Sequence, residues 1–359
     1  MRAGYGEKTR EFFAKNTNPM LLIDFAGVKI FESATVDTNI LLFAKAANEH
    51  KTLCAVTNKQ NKDSVKNLSV FVQQSGSECE FSCSDSWVIL SPIEQSIKRK
   101  IEAVGTPLKD WDIQINYGIK TGFNDAFIIN TEKRDEILSN CQTEDERTRT
   151  AELIRPILRG RDIKRYGYNW ANLWLINTHN GIRGKLERVH IEDYPVIKAH
   201  LDQYWDRISK RADKGDTPYN LRNCAYLEDF FKPKIMFQEI VQESQFCYDN
   251  KGMMCNDTGR IIVGKDLPYL LGIMNSKLFF FAVKTFYGGG VLGEHGIRMK
   301  HTFFEKFHCV EIDNKIKSVA DALAKAPNNT LIDSFEHILY QQYKLTSEEI
   351  KFIESQYIL

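Results

Sequence analysis

The chain has no long uninterrupted apolar run. Its longest, LLGIMNSKLFFFAV, is broken by Asn275 and Lys277 and falls short of the roughly 20 residues that span a bilayer. The N-terminus, MRAGYGEKTREFF, lacks an apolar stretch ending in a small-residue cleavage site, so no export signal is expected. A cytoplasmic protein without membrane contact follows as the expectation. The eight cysteines, at 54, 79, 83, 141, 224, 247, 255 and 309, include no CxxC pair and have no histidine at ligand spacing, which argues against structural zinc. In a reducing compartment such thiols pack as small apolar groups. An excess of charge is missing too, the net value being +1.

What is present begins with size. At 359 residues and 43% hydrophobic content the chain can bury a sizeable core and divide into two or three units. Charge is unevenly distributed. Residues 155–188 hold eight Lys/Arg against two acids, whereas residues 311–359 hold five against eight. The basic run is either a phosphate-contacting surface or a solvated charged face.

The runs MLLIDF (20–25), VKIF (28–31) and NILLFAK (39–45) are short, apolar and separated by turn residues, the pattern of strands covered on both faces. Fewer than 20 residues precede them, too few for the parallel strands and crossovers of a complete α/β sheet. Residues 1–90 are therefore expected to be the end of an α/β unit. In SPIEQSIKRKIEAVG, Ser91 caps a helix, Pro92 fits its first position, Glu94 completes a capping box and Gly105 closes it. Ile93, Ile97, Ile101 and Val104 line one face, so 91–105 reads as a connecting helix. From 106 to 310 short strands (INYGIKTG, DAFIIN, NLWLIN, KIMFQEI, RIIVG, FHCVEI) alternate with helical pieces, notably YPVIKAHLDQYWDRISKRA and LPYLLGIMNSKLFFFAVKTF. Residues 311–359 end in two amphipathic helices, the second opened by Thr346 and Glu349. The fold class expected is α+β: a truncated α/β remnant, a mixed α/β domain and C-terminal helices.

The ordered segments GTPLKDWDIQINYGIKTGFNDAFII, IRPILRGRDIKRYGY and FKPKIMFQEI resemble the TaqI-like C-terminal specificity domain of adenine-specific DNA methyltransferases and type IIG restriction-modification enzymes. NPMLLIDFAGVKIFESATVDTNILLFAK is similar to the end of the methyltransferase domain in such proteins, and IDSFEHILYQQYKLTSEEIKFIE to their C-terminal helices. The resemblance implies that residues 1–90 are a methyltransferase remnant and that residues 106–310 recognise double-stranded DNA. It also implies S-adenosylmethionine for the parent enzyme, although no cofactor is expected in this chain. Family enzymes bind that cofactor on a glycine loop after a first strand and clamp the adenine with an NPPY-type tetrapeptide. Neither is found. Asn18-Pro19-Met20-Leu21 shares two letters with the tetrapeptide. The segment YGGGVLGEHG (287–296) follows a helix, so a loop at a binding surface is expected there instead. Asp229 and Glu239 suggest a PD-ExK nuclease site, but Glu239 is followed by Ile240 and Val241 with no lysine, so strand pairing is the role expected of them.

On this resemblance residues 115–129 are a hairpin entering DNA, with Tyr117, Lys120 and Thr121 making contacts and Phe127, Ile128 and Ile129 anchoring it. Gly118 and Gly122 would permit close approach to phosphate or a sharp turn. The residues alone favour an ordinary β-turn with a solvated lysine, and it is the resemblance that reverses this preference. Arg159, Arg161, Lys164 and Arg165, with Tyr166 and Tyr168 beside them, suit phosphate or guanine contact, or form an exposed basic turn. Arg222, Arg298, Lys300 and His301 are further loop candidates. Lys120 and Arg161 are expected on phosphates, and Tyr117 and Arg159 on bases. No catalytic and no metal residue is expected. The chain reads as a recognition module, alone or beside a separate methyltransferase or restriction catalytic chain. The alternatives left open are a piece of a longer methyltransferase or restriction enzyme with its catalytic residues upstream, and an enzyme whose catalytic groups escape recognition.

Overall fold

In the computed structural model, which describes residues 6–25, 28, 30–31, 38–57, 66–287, 291–292 and 296–357, helix α1 (Glu7–Asn16) leads into strand β1 (Asn18–Asp24). Strands β2 (Asn39–Ala44) and β3 (Thr52–Val56), helix α2 (Leu68–Ser75) and strand β4 (Ser77–Cys79) complete a sheet of order β2-β1-β3-β4. β1 runs antiparallel to β2 and parallel to β3. Leu22, Cys54 and Cys79 pack here with Phe81 and Trp87, whose rings stack at 4.6 Å. Two expectations change. β2 is an edge strand with Ile40 and Leu42 exposed, so it is not covered on both faces. In the 28–31 run, residues 28, 30 and 31 lie outside any strand, because the Val28 amide turns back to the Phe25 carbonyl at 2.9 Å; residue 29 lies outside the described residues.

Helix α3 (Pro92–Glu102) has the expected capping box: the Ser91 amide donates to the Glu94 carboxylate at 2.7 Å, and the Glu94 amide to the Ser91 hydroxyl at 3.4 Å. It stops before Gly105, whose φ of +70° and place 1.9 Å from the Cys309 carbonyl (for an added Cβ) require glycine. Ile97 and Ile101 are fully buried in the largest core. The helix thus joins the main body as much as it leaves the first sheet.

The main body follows: β5 (Thr106–Pro107), β6 (Ile113–Tyr117), α4 (Asn124–Phe127), β7 (Ile128–Asn130), α5 (Thr131–Ser139), α6 (Glu144–Leu153), β8 (Ile154–Leu158), β9 (Ile163–Lys164), β10 (Gly167–Tyr168), β11 (Leu173–Ile176), α7 (Pro195–Asp202) and α8 (Trp205–Ile208). After these come β12 (Lys234–Gln238), β13 (Ile240–Val241), β14 (Phe246–Asp249), β15 (Met254–Cys255), β16 (Gly259–Gly264), α9 (Leu267–Met274), α10 (Lys277–Ala282), β17 (Val291–Leu292), β18 (Gly296–Arg298), α11 (His301–Phe304) and β19 (His308–Cys309). The glycine-rich stretch 287–296 lies largely outside the described residues. Two four-stranded sheets dominate, of orders β14-β12-β16-β6 and β15-β8-β11-β7. In the first, β12, β14 and β16 are buried on both faces. Its period-2 alternation sends Ile235, Phe237, Phe246 and Ile262 toward the helices, and Met236, Cys247 and Ile261 toward the second sheet.

Residues 115–129 do not form the expected hairpin. β6 pairs with β16, whereas β7 pairs with β11 in the other sheet. The Gly118 amide bonds to the Gly259 carbonyl (3.0 Å) and the Ile119 amide to the Cys255 carbonyl (2.7 Å), so the chain past Tyr117 follows residues 255–259 and crosses between sheets. The 267–287 region breaks at Asn275, whose amide group bonds both ways to the Phe246 backbone, at 2.8 and 3.1 Å.

The C-terminus holds three helices, α12 (Asn314–Lys325), α13 (Asn329–Gln342) and α14 (Ser347–Ser355), one more than expected. The extra helix α12 is capped by Asp313 and buries Ile316, Ala320 and Leu323, a stripe whose alanine weakens its apolar signature. α14 keeps the Thr346–Glu349 capping box, and Glu349 also receives the Lys100 ammonium of α3 at 2.6 Å. Among the described residues no helix is long and apolar enough to cross a membrane.

Candidate nucleic-acid interface

Chain segments at the ends of β6, β8 and β12 meet around one turn, residues 256–259, which enters β16. The Asn256 amide donates to the Leu158 carbonyl at 3.0 Å, and the Gly160 amide to the Thr258 hydroxyl at 2.8 Å. An added Cβ on Gly118 would sit 1.8 Å from the Asn256 carbonyl oxygen, and one on Gly160 would sit 2.6 Å from that of Thr258. The glycine at 118 therefore serves close backbone packing inside the protein and not approach to a phosphate. Gly122 has φ +71° and abuts the Asp213 carbonyl, which gives the sharp turn.

Tyr117 projects from the end of β6, 48% exposed, with the Arg260 guanidinium 4.0 Å from its ring centre. Arg260 is itself held, at 2.7 Å by the Glu239 carboxylate and at 3.0 Å by the carbonyls of Asp257 and Gly259. The result is an aromatic face fixed from behind. Lys120 is exposed, its ammonium 3.9 Å from Asp213, and Arg222 reaches the same carboxylate at 2.7 Å. Thr121 is not at the surface. It is buried, its hydroxyl donating to Asn124 at 2.6 Å and its carbonyl accepting from Arg211. Arg211 lies over the Phe127 ring at 4.3 Å and also donates to the carbonyls of Pro218 (3.0 Å) and Asn220 (2.6 Å). Burial pushes its guanidinium down to about 10, still protonated at neutral pH.

In the loop after β8, Arg159 grips Asp162 with both arms of its guanidinium, Nη2 to Oδ1 at 2.8 Å and Nε to Oδ2 at 3.0 Å. Burial raises the Asp162 carboxyl, but the hydrogen bonds from Arg159 outweigh it and leave the group below its ordinary value. Arg161 beside this pair is exposed and makes no ion pair among the described residues. Lys164 is half-buried on β9. Arg165 turns inward, donating to the Asn275 carbonyl at 2.9 Å and lying 3.7 Å from the buried Glu336 of α13, so it joins the C-terminal helices to the sheets. Tyr166 and Tyr168 are half-buried, the first against Arg165. Arg298 is exposed on β18 opposite Ile240, while Lys300 and His301 are half-buried at the start of α11.

Asp229 and Glu239 act apart from each other: Glu239 ties the end of β12 to β16, as strand pairing would have it, whereas Asp229 lies before β12 and holds β6. Asp229 accepts from Asn116 at 2.9 Å and Lys232 at 2.8 Å, and Glu239 holds Arg260. Among the described residues no three His, Cys, Asp or Glu side chains converge as metal ligands. The sequence reading missed Arg211 and Arg260, both buried. Lone arginines in apolar or turn context carry no pattern, although the Glu239–Arg260 cross-strand diagonal is a recognisable charge pair.

Residues 155–291 match the TaqI-like C-terminal specificity domain family. This segment is similar to a TaqI-like specificity domain. It contains the 256–259 turn, Arg159, Arg161, Arg222 and Arg260, while β6 with Tyr117 and Lys120 joins the same sheet from upstream. The chain is 22% identical over 309 residues to the type II methyltransferase M.BanIII of Aneurinibacillus aneurinilyticus, covering 76% of this chain and 52% of that protein. In fold it is similar to the type IIL restriction-modification enzyme MmeI, solved in complex with DNA (TM-score 0.53, 11% identity, 95% of this chain and 46% of that one). The type IIG restriction endonuclease BpuSI also matches (TM-score 0.45, 12% identity, 96% of this chain and 46% of that one). The chain thus spans about half the length of these proteins.

Proposed function

We infer that this chain recognises a specific double-stranded DNA sequence for a restriction-modification system. The observation that carries this reading is the specificity-domain match over residues 155–291. The geometry supports it: loops from several strands present one fixed aromatic, Tyr117, and exposed cations, Lys120 and Arg161, on a rigid double-sheet base. Phosphate contacts position such a domain and base contacts specify its site. Lys120, Arg161, Arg222 and Arg298 are the phosphate candidates; Tyr117 and Arg159 are the base-reading candidates. In the domain scheme, residues 1–90 are the end of a methyltransferase domain, 91–105 the connection, 106–310 the recognition domain and 311–359 its helical support.

The whole enzyme, by analogy with M.BanIII, uses S-adenosylmethionine. Methyl transfer is assigned to residues outside this chain, or to a catalytic partner chain. Selection of bound sequences from a random duplex pool, followed by titration of the enriched duplex, tests the reading. Enrichment of one motif supports it, and no enrichment overturns it. Calorimetry with S-adenosylmethionine tests the cofactor assignment, since binding in the micromolar range would contradict it.

A further inference from the structure

The structure divides the basic run of residues 155–188 between two places. Arg159 and Arg161 lie at the loop after β8, whereas Arg183, Lys185 and Arg188 lie on a short hairpin, residues 181–188, that forms neither of the main sheets. Reciprocal bonds between the backbones of Ile182 and Leu186, at 2.8 and 2.9 Å, close the hairpin. Gly181 and Gly184 turn it with φ of +72° and +75°. Its base is tied down. The buried Asn220 amide donates to the Val189 carbonyl at 2.9 Å, and Asn180 bonds Asp216 through both its oxygen (2.8 Å) and its nitrogen (3.0 Å).

The tip contrasts with the base. Arg183 and Lys185 are exposed and make no ion pair or side-chain hydrogen bond among the described residues, and nothing stands within 4 Å of an added Cβ on Gly184. An open cavity of about 910 Å³ lies against the hairpin, with Arg188 on its wall 3.5 Å from Asp216. The arm is also continuous with the interface described above. Its anchoring loop, residues 213–223, supplies the Asp213 carboxylate that Lys120 and Arg222 share.

We propose that the 181–188 hairpin is a DNA-backbone arm, Arg183 and Lys185 each taking a phosphate beside the segment bound by the loops of the two sheets. This rests on the DNA-recognition reading. The chemistry favours phosphate over base. Base readers need a fixed donor geometry, as Arg159 has on Asp162, whereas unrestrained cations on long side chains suit the diffuse charge of a phosphate. An anchored base with a free tip places those charges without fixing their rotamers.

The test compares the full chain with Arg183→Ala/Lys185→Ala, with Lys351→Ala on α14 as a surface-cation control, on a random-sequence duplex and on the enriched duplex at several salt concentrations. The double variant is expected to lower the slope of log affinity against log salt by about two, one per lost phosphate contact. Both duplexes should weaken by the same factor, with discrimination between them and the thermal midpoint unchanged. If the wild-type chain discriminates and the double variant binds like it with the same slope, the arm is refuted and DNA recognition stands. Weakening on the enriched duplex alone would make these residues base readers and overturn the phosphate assignment. Absence of any binding by the wild-type chain would refute both.

Discussion

Arg260 lies 4.0 Å behind the ring of Tyr117 and is itself clamped by Glu239 at 2.7 Å. Three residues from three strands or strand ends thus produce one oriented aromatic face at the surface. Replacing Tyr117 with Ala is expected to weaken binding of the enriched duplex by about 1–3 kcal/mol, the range of a base stack or a base-edge contact. Arg260→Lys should produce part of that loss by releasing the ring, while Tyr117→Phe keeps most of the affinity. Equal affinity of Tyr117→Ala and wild type in a fluorescence titration would remove the tyrosine from the interface.

Lys120 and Arg161 are exposed cations on separate loops. Each alanine variant is expected to lower the salt slope by about one, with nearly additive effects in the double variant. Lys120 should contribute less at low salt, because Asp213 already offsets part of its charge from 3.9 Å. Unchanged slopes in both single variants would place the face elsewhere.

Lys234 and Asp249 form a fully buried pair at 2.6 Å, completed by the Phe230 carbonyl on the lysine (2.7 Å) and the Met253 amide on the aspartate (3.0 Å). Removing one partner leaves the other charge buried and alone, which costs about 3–5 kcal/mol. Lys234→Ala should therefore lower the urea midpoint strongly, and Lys234→Met/Asp249→Leu should recover much of the loss. A double variant no more stable than the single one would contradict this account.

Burial pushes the Glu336 carboxyl up to about 7, against the opposing pull of the Lys277 amide (2.8 Å) and the Arg165 guanidinium (3.7 Å). A carboxyl that binds its proton more tightly when folded favours the folded state below its unfolded value of 4.5. That contribution is lost as pH rises toward 7. Glu336→Gln should thus be stabilising at pH 8, by about 1–3 kcal/mol, with the gain shrinking toward pH 5. Thermal melts of both proteins across that range check the sign; a pH-independent difference would show that Glu336 does not titrate there.

Much of the local structure was legible in the sequence, because it rests on interactions between near neighbours. The α3 capping box at Ser91 and Glu94, the Thr346–Glu349 box of α14 and the apolar runs that become β11, β12 and β16 depend on residues a few positions apart. The composition of the loop 159–165 likewise marks a basic segment. What the sequence alone could not decide was the company each residue keeps. Residues 115–129 have the alternation and glycines of a hairpin, yet the bonds from Gly118 and Ile119 to Gly259 and Cys255 send them into two sheets. Thr121 and Arg165 look like surface contacts in a polar string, but Arg211 and Glu336, remote in sequence, draw them inward. Tyr117 becomes an oriented face because Arg260 and Glu239 meet it across β6, β16 and the end of β12. A backbone turn or cap is set by a few adjacent torsions, whereas the burial and pairing of a side chain depend on the density and charge of whatever the fold brings against it.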